Sequence, residues 1–346
     1  MTPVGQSSTL QVIGSRSDKG QSPAHRSSLN NSGDSHGLVS VVLPLYNVSE
    51  YVGDAIESIS LQTYKDIEVV LVDDGSEDGS LDVAMEAICS CGLKNYRAIQ
   101  QENAGVSAAR NRGAEAALGD WLIFLDPDDV LAPKTIESLV RGSVSRGVTV
   151  AISNFTLIDN TAIPYDCPFE KPLTFLSKEE ALKSHLLRNR NMAAPAILVS
   201  SDLAAEVPFS EGCRYGEDVM WVWELLANSN GVGYLEAPGY GYRLRPGSTM
   251  TAPSLDRIRS GAISFLKLDD LLKGVLGNST WAASRWMLGV MHVLARYGTS
   301  EQFEWFYRQF YRERIPSLYT FPQVRVRILA LLSMLGPRLL RALMKR

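Results

Sequence analysis

The stretch WLIFLDPDDV, Trp121 to Val130, is an apolar run that ends abruptly in three carboxylates, so it predicts a buried strand followed by an acidic turn. Asp126 and Asp128 lie two residues apart after the strand, where both can turn toward one hard divalent cation, and Pro127 stiffens the turn. A Mg²⁺ or Mn²⁺ ion held in this way commonly binds phosphate as well. An isolated Asp-x-Asp is equally typical of a turn in which Asp128 or Asp129 caps the next helix.

Apolar strand patterns and helical patterns alternate on both sides of this stretch. The predicted strands are VSVVL (Val39 to Leu43), IEVVLV (Ile67 to Val72), YRAIQ (Tyr96 to Gln100), WLIFL (Trp121 to Leu125) and VTVAIS (Val148 to Ser153). The predicted helices are Glu50 to Leu61, Ser80 to Cys91, Val106 to Ala117 and Pro133 to Arg146. Such alternation predicts an α/β fold with a parallel sheet covered on both faces. Ligands bind beyond the carboxyl ends of the strands in such sheets.

Aromatic and polar residues follow the other predicted strands, where a ligand would bind. The segment Pro44 to Asn47 after the first strand combines a rigid turn with an aromatic ring on which a planar base can stack. Asp73 and Asp74 end the second strand, and their carboxylates can accept hydrogen bonds from a base or a ribose. Asn103 and Arg110 follow the third strand. The Arg110 guanidinium suits a diphosphate or a carboxylate, and a structural ion pair is the alternative.

Taken together, six sequence blocks resemble the family 2 glycosyltransferases, which have the GT-A nucleotide-sugar fold. The blocks are VSVVLPLYN (Val39 to Asn47), SISLQTY (Ser58 to Tyr64), IEVVLVDDGSEDGS (Ile67 to Ser80), QENAGVSAARNRG (Gln101 to Gly113), GDWLIFLDPDDVL (Gly119 to Leu131) and GEDVMWVWELL (Gly216 to Leu226). The resemblance extends from about Val39 to Met250. It implies a Rossmann-like, mostly parallel sheet with helices on both faces, followed by a helical C-terminal region.

The resemblance also implies roles for single residues in a nucleotide-sugar site. Asp126 and Asp128 match the family's DxD motif, which holds Mn²⁺ or Mg²⁺ on the diphosphate, and Asp218, with Glu217 beside it, matches the catalytic base of inverting members. A metal there would stabilise charge on the leaving group, while a carboxylate on the opposite side takes the proton of the attacking hydroxyl. The residues assigned to nucleotide binding are Pro44, Tyr46, Asp73, Asp74, Asn103, Arg110 and Asp126.

A second basic and aromatic segment, YGYRLRPGS from Tyr240 to Ser248, is expected to be a loop and resembles the family's YR-x-R-x-GS segment. Its Arg243, Arg245 and Ser248 are candidates, with Glu217, for contacts to the diphosphate or the acceptor. The alternative is a turn that pairs with nearby acidic residues. Which of the two aspartates in VDDGS contacts the base stays open at this point.

Charge and sequence patterns together predict the domain organisation and argue against a nucleic-acid partner. The 346 residues carry a net charge of −4, and because no basic stripe is present we expect no nucleic-acid partner. The polar segment 1–37 predicts a disordered tail without a signal peptide. The GT-A domain is expected at 38–250, with a nucleotide-binding half at 38–154 and an acceptor half at 155–250. A helical region is expected at 251–346, and it ends in the basic segment Val324 to Arg346. This segment is expected to be an interfacial helix on a membrane or, alternatively, a helix packed on the protein's own core or on a second subunit.

The resemblance implies an inverting, metal-dependent enzyme that transfers a sugar from a nucleotide-sugar to a hydroxyl of a lipid-linked or polymeric acceptor for a cell-surface glycan. We expect the donor to be a UDP-sugar. We expect the enzyme in the cytoplasm, with contact to the inner face of the membrane as an option. Transfer to an isoprenoid phosphate and a non-catalytic nucleotide-sugar-binding scaffold are the alternatives. A phosphate-receiver domain would have carboxylates after its first strand, and an oxidoreductase would need GxGxxG, which is not present in the sequence.

Overall fold

The computed structural model describes residues 12–13, 36–158, 173–192, 194–244, 254–276, 278 and 280–345. They form two compact units that exchange segments along the chain. The first unit contains the described residues up to 175 together with 194–209 and 232–243, and the second contains 176–192, 210–231 and the chain from 244 onward. The predicted domains, by contrast, are continuous segments divided after residues 154 and 250.

The first unit is built on a mixed, mostly parallel sheet of ten strands. The strands are β1 (Val12–Ile13), β2 (Val39–Leu45), β3 (Ile67–Asp73), β4 (Tyr96–Gln100), β5 (Trp121–Phe124), β6 (Val130–Leu131), β7 (Val150–Ile158), β8 (Thr174–Leu176), β9 (Ile197–Ser200) and β10 (Val232–Arg243). Their order is β1-β4-β3-β2-β5-β9-β7-β10-β6, with β8 also paired to β10. Strands β4, β3, β2 and β5 run parallel to one another, as do β7 and β10.

The central strands are buried along their whole length because helices cover both faces of the sheet. Every residue of β2 and β3 is buried. Gly113 shows how closely one helix approaches, since a Cβ atom there would lie 2.3 Å from Val42 Cγ1. The helices of this unit are α1 (Val52–Ser60), α2 (Ser80–Ser90), α3 (Val106–Ala116), α4 (Thr135–Arg146) and α6 (Ser201–Glu206). The predicted α/β architecture is therefore confirmed.

The second half of the sheet departs from the sequence expectation at one segment. The sheet is mostly parallel, as predicted, although β9 runs antiparallel to both of its neighbours, β5 and β7. The expected loop begins with Tyr240 to Arg243, yet these residues are the end of β10. Pro238 and the neighbouring glycines are signals against a strand. The strand accommodates Pro238 through register shifts on either side of it.

Part of the predicted N-terminal tail lies against the sheet. Val12–Ile13 form the short strand β1, which pairs antiparallel with β4 through the registers Val12 to Ile99 and Ile13 to Ala98. The tail's other residues up to 35 lie outside the described residues. Disorder of the tail stays a prediction.

The second unit is helical, which confirms the predicted helical C-terminal region. Its helices are α5 (Lys178–Leu187), α7 (Glu217–Asn228), α8 (Leu255–Leu266), α9 (Leu268–Leu271), α10 (Trp281–Tyr297), α11 (Ser300–Phe306), α12 (Ile315–Leu318), α13 (Val324–Ser333) and α14 (Pro337–Met344). A π-helical turn at Tyr307–Tyr311 and a 3₁₀ turn at Arg312–Arg314 join α11 to α12. Among the helices in the described ranges, none combines the length and the apolar character needed to cross a bilayer.

Candidate functional site

The carboxyl ends of the parallel strands meet at one edge of the first unit, as the sequence predicts. Leu45 at the end of β2 is in register with Asp73 of β3, which in turn faces Gln100 of β4. The next residue after β2 is Tyr46, whose side chain is 52% exposed beside these buried strands. An exposed aromatic ring at this edge offers a flat surface on which a base can stack.

The aspartates that follow β3 are both buried and hydrogen-bonded to the neighbouring loop. Asp74 accepts hydrogen bonds of 2.8 Å from the backbone N–H groups of Ala104 and Gly105 and from the side chain of Gln101. Asp73 accepts hydrogen bonds from Ser76 N, at 3.1 Å, and from Gln100 Nε2, at 3.3 Å. Asp74 therefore ties the loop after β4 to the end of β3. Asn103 lies exposed in that same loop.

A second set of contacts joins the turn after β2 to the turn after β3. Asn47, which has a φ of +52°, donates from its backbone N to Ser76 Oγ at 3.2 Å. Its side-chain oxygen accepts a hydrogen bond of 2.9 Å from Glu77 N. Gly75 also has a positive φ, +76°, and a Cβ there would lie 3.2 Å from Asn103 N. Gly75 thus permits both the turn and the close approach of the next loop.

Arg110 on α3 joins the acidic turn to the core of the first unit. Its Nη2 atom donates to Asp126 Oδ1 at 2.7 Å. The guanidinium, which is buried, lies 5.0 Å from the ring centroid of Phe209, and that ring packs edge-on against Phe124 of β5. The structure therefore places Arg110 in the predicted site and also gives it the structural ion pair that was the alternative.

The third carboxylate of the turn, Asp129, is almost completely buried and anchors the turn to β10. It accepts hydrogen bonds from the Tyr240 hydroxyl and, at 2.7 Å, from the backbone N–H of Arg243. Burial, and then the negative charges of Asp126 and Asp128, raise the pKa of Asp129 to about 8. Burial of the Tyr240 side chain, and then the charge of Asp129, raise the pKa of Tyr240 well above its usual range.

Arg243 continues this network to α1. The guanidinium of Arg243 forms an ion pair of 2.7 Å with Asp54 and lies 5.5 Å from the ring centroid of Tyr51. Neither Asp54 nor Asp129 was a predicted site residue, and the roles of both depend on contacts with β10, far away in the sequence. The only signal for Asp129 was its place as the third acid of DPDD. The predicted contacts Arg245 and Ser248 lie outside the described residues.

The acidic turn suits a divalent cation that takes most of its ligands from a substrate and water. Asp126 and Asp128 are both partly exposed, so their oxygens can be reached from solvent. Asp126, Asp128 and Asp129 stand within four consecutive positions, so three carboxyl groups lie close together in this turn. No group of three or more metal-binding side chains is found in the described parts of the chain. Mg²⁺ is commonly held by one or two carboxylates with phosphate oxygens completing its shell.

Asp218 and Glu217 lie in the second unit, in the first turn of α7. Gly216 precedes them with a φ of +76°, and a Cβ there would come 2.8 Å from Trp286 Nε1, so glycine is required for the turn that starts the helix. Burial, and then the charges of Asp218 and Glu217, raise the pKa of Tyr215. Asp218 is half-buried, and solvent therefore still reaches the residue.

Three curated proteins illustrate the sequence similarity. A family model described as "Glycosyl transferase family 2" matches residues 40–167. Glycosyltransferase GlyG of Streptococcus pneumoniae serotype 4 is 32% identical over 230 residues, which cover 62% of this chain and 73% of GlyG. Glycosyltransferase GlyA of the same organism is 32% identical over 222 residues, 61% of this chain and 31% of GlyA. Minor teichoic acid biosynthesis protein GgaB of Bacillus subtilis is 28% identical over 214 residues, 60% of this chain and 23% of GgaB.

Solved structures share the fold at low sequence identity. S. aureus TarS 1-349 in complex with UDP-GlcNAc has a TM-score of 0.56 at 18% identity, covering 89% of this chain and 86% of that one. Mannosyltransferase PcManGT from Pyrobaculum calidifontis, in complex with GDP-Man and Mn²⁺, has a TM-score of 0.54 at 15% identity, covering 89% and 85%. The chain spans less than a third of GlyA and of GgaB, but most of GlyG and of the two solved chains.

The buried hydrogen bond between Tyr240 and Asp129 yields a stability prediction. Tyr240→Phe removes one of the two hydrogen bonds that Asp129 accepts, from the Tyr240 hydroxyl and from Arg243 N, and we expect it to lower the free energy of unfolding by about 1–3 kcal/mol. Urea denaturation followed by circular dichroism measures the change. Tyr46→Phe is the control, since its ring is half exposed and its substitution should leave the midpoint unchanged. Equal midpoints for the two variants would contradict the anchoring role.

Proposed function

Because the chain belongs to glycosyltransferase family 2, we propose that it transfers a sugar from a nucleotide-sugar to a hydroxyl of a lipid-linked or polymeric acceptor in cell-surface polysaccharide synthesis. The observation that carries the proposal is the meeting of Tyr46, Asp73 and the acidic turn at one edge of the sheet. Such an edge offers a base-stacking ring, hydrogen-bond acceptors and carboxylates for a metal–diphosphate. The predicted nucleotide-binding and acceptor halves, 38–154 and 155–250, stay part of this proposal.

We favour UDP as the donor nucleotide. Support comes from the TarS structure, which contains UDP-GlcNAc, while GDP-Man in the PcManGT structure makes GDP the comparison to test. The acceptor class draws on the name of GgaB, a minor teichoic acid biosynthesis protein. These ligands and this name belong to those proteins, and we extend them to the present chain as part of the proposal.

The donor-binding role of each residue follows from its place at the sheet edge. Tyr46 stacks on the base, while Asp73 or Asp74 accepts hydrogen bonds from the base or the ribose. Asp126 and Asp128 hold Mn²⁺ or Mg²⁺ on the diphosphate. A divalent ion bound there stabilises the negative charge that develops on the leaving diphosphate. Arg110 holds Asp126 in position through their ion pair of 2.7 Å.

Asp218 is proposed as the general base. Its carboxylate accepts the proton of the acceptor hydroxyl as the oxygen attacks the anomeric carbon and the bond to the diphosphate breaks. One displacement inverts the configuration at that carbon. Glu217, Arg243, Arg245 and Ser248 stay candidate contacts to the diphosphate or the acceptor. A non-catalytic scaffold would bind the donor but would have no use for Asp218.

Nucleotide binding is the first test of the donor site. We expect isothermal titration calorimetry to show UDP binding more tightly than GDP, with binding that depends on added Mn²⁺. Asp128→Ala should weaken the Mn²⁺-dependent binding by about tenfold or more, because a charge-assisted contact is lost. Asp82→Ala is the control, since this carboxylate lies exposed on α2. Absence of binding to folded protein, with either nucleotide, would remove the donor-site proposal.

Turnover distinguishes an enzyme from a scaffold. We expect the protein to release UDP from a UDP-sugar when a bacterial membrane extract supplies the acceptor, and Asp218→Asn should slow release by about 10²–10⁴-fold. UDP binding by calorimetry should be unchanged in this variant. Asp256→Asn is the matched control, because Asp256 is exposed and is the second residue of α8 as Asp218 is of α7. Equal rates for Asp218→Asn and wild type would exclude the proposed base.

The proposed membrane contact rests on the surface of α13 and α14. Met334 and Leu335, between the two helices, are 66% and 62% exposed, and Ile328 and Leu331 of α13 are also exposed. The sequence after Glu313 contains no Asp or Glu but has six arginines and one lysine. Apolar side chains flanked by cationic ones suit an anionic bilayer surface. We propose that this face contacts the membrane that carries the acceptor.

Point substitutions test this contact better than removal of the whole segment, because the Tyr307 hydroxyl donates to Ser333 O at 2.7 Å inside the second unit. The triple variant Leu331→Ser, Met334→Ser and Leu335→Ser should lose most of its co-flotation with phosphatidylglycerol-containing vesicles. Ile263→Ser, at an exposed apolar position on α8, is the control and should float like the wild type. Unchanged flotation of the triple variant would contradict the membrane proposal.

A further inference from the structure

A cavity of about 560 Å³ lies between α10 and α13 in the second unit, and none of its lining residues is assigned to the donor or to catalysis. Arg285, Leu288 and His292 of α10 line one side. Gln323 and four residues of α13, Val324, Arg325, Val326 and Leu329, line the other. The cavity thus combines cationic and amide side chains with apolar walls.

Positive charge collects at this cavity without a matching acid. A Cβ at Gly289 would lie 3.5 Å from Arg188 Nη2, so the Arg188 side chain extends over α10 one turn from Arg285. Burial, and then the charge of Arg188, lower the pKa of Arg285 to about 10. Burial also lowers the pKa of Arg188. Two neighbouring guanidinium groups that are partly desolvated repel each other, which is costly unless an anion pairs with them.

No such anion is supplied by the part of the chain that the structure describes. Neither Arg188 nor Arg285 forms an ion pair among the described residues, and Arg285 Nε is buried there without a hydrogen-bond partner. The sequences of α10 and α13 contain no Asp or Glu. Arg285 is half-buried and Arg188 is exposed. Two neighbouring guanidinium groups that no described acid pairs with suit an external anion, which solvent-exposed Arg188 leaves room to reach.

Hydrogen bonds hold the polar side chains of the cavity in place. Gln323 Nε2 donates to Leu187 O at 2.7 Å, which joins the start of α13 to the end of α5 next to Arg188. His292 Nδ1 lies 3.0 Å from Leu288 O, to which it donates in the matching tautomer, so Nε2 is the ring nitrogen left for a ligand. The N-terminus of α13 adds the positive end of a helix dipole.

We propose that this cavity binds a phosphate group carried on an apolar chain. The guanidinium groups of Arg188 and Arg285 would pair with the phosphate oxygens, since arginine's planar donors match that geometry. The walls formed by Leu288, Val326 and Leu329 would accommodate the first part of the chain. Exposed Val324 and Ile328 continue the apolar surface outward along α13. If the proposed function holds, such a ligand is the phosphate of a lipid-linked acceptor or of a membrane lipid.

Ligand-dependent thermal stability of the full chain tests the proposal with three probes: dodecyl phosphate, inorganic phosphate and dodecyl maltoside, each below its micelle concentration. A hundredfold excess of dodecyl phosphate over its Kd should raise Tm by about 5 °C or more. Dodecyl phosphate bound about tenfold tighter than inorganic phosphate supports a lipid source. Equal affinity for the two would contradict the role of the apolar walls and overturn the proposal of a chain-borne phosphate. Equal shifts with dodecyl maltoside would overturn it.

Two variants locate the effect. Arg285→Gln and Arg188→Gln should each raise Tm without ligand, because the repulsion between the two neighbouring guanidinium groups is removed, and should each weaken dodecyl phosphate binding by about tenfold or more. Arg327→Gln, on the exposed side of α13, is the control for charge and should match the wild type. A lower Tm without ligand in both Gln variants, or undiminished binding in either, would overturn the site.

UDP calorimetry on the same preparations separates this inference from the proposed function. The Arg285→Gln protein should bind UDP and Mn²⁺ as the wild type does, because the cavity contains none of the proposed donor-binding residues. If the wild type binds UDP but dodecyl phosphate has no effect on Tm, the cavity proposal fails alone. If dodecyl phosphate binds and no nucleotide does, the proposed function fails and the phosphate site stands.

Discussion

The buried carboxylate of Asp129 is the contact on which the geometry of the acidic turn depends. A carboxylate taken out of water is costly unless hydrogen bonds replace its hydration, and here Tyr240 and the backbone of Arg243 supply them. Both donors come from the end of β10. The turn therefore has one favourable position, with Asp129 inside and Asp126 and Asp128 partly exposed to solvent.

A second contact fixes the same turn from the side of α3. Arg110 pairs with Asp126 and lies over Phe209, whose backbone exchanges two hydrogen bonds with the Asn111 side chain, at 2.8 and 2.9 Å. Arg110 and Asn111, which are neighbours on α3, thus hold the acidic turn and the segment that ends at Phe209. This double attachment explains why Arg110 is both a structural residue and a candidate diphosphate contact.

The first half of the sheet could be predicted from the sequence because its strands are continuous apolar runs separated by amphipathic helices. The register that brings Asp73 and Gln100 together follows from parallel pairing alone. The second half could not be predicted in the same way. β9 has four residues, too few to show a period, and β10 carries Pro238 and glycines that normally mark turns.

Charge clusters were harder still to predict, because they depend on which side chains the fold brings together. Asp129 read only as a helix cap, and its partner Tyr240 lies 111 residues later in the chain. Arg188 and Arg285, equally, are distant in sequence and stand out only because the structure places them near each other without an acid. No local pattern contains that information.

The placement of β9 has a consequence for the synthesis of the protein. β9 lies between β5 and β7, although it follows β5 by more than seventy residues in the chain. During synthesis, the edges of β5 and β7 that pair with β9 therefore have no partner until β9 has left the ribosome. Open edges of apolar strands favour pairing with other chains. The acidic turn cannot form its hydrogen bonds to Tyr240 and Arg243 until β10 has been synthesised. Translation speed between residues 125 and 243 therefore sets how long an aggregation-prone intermediate persists in the cell.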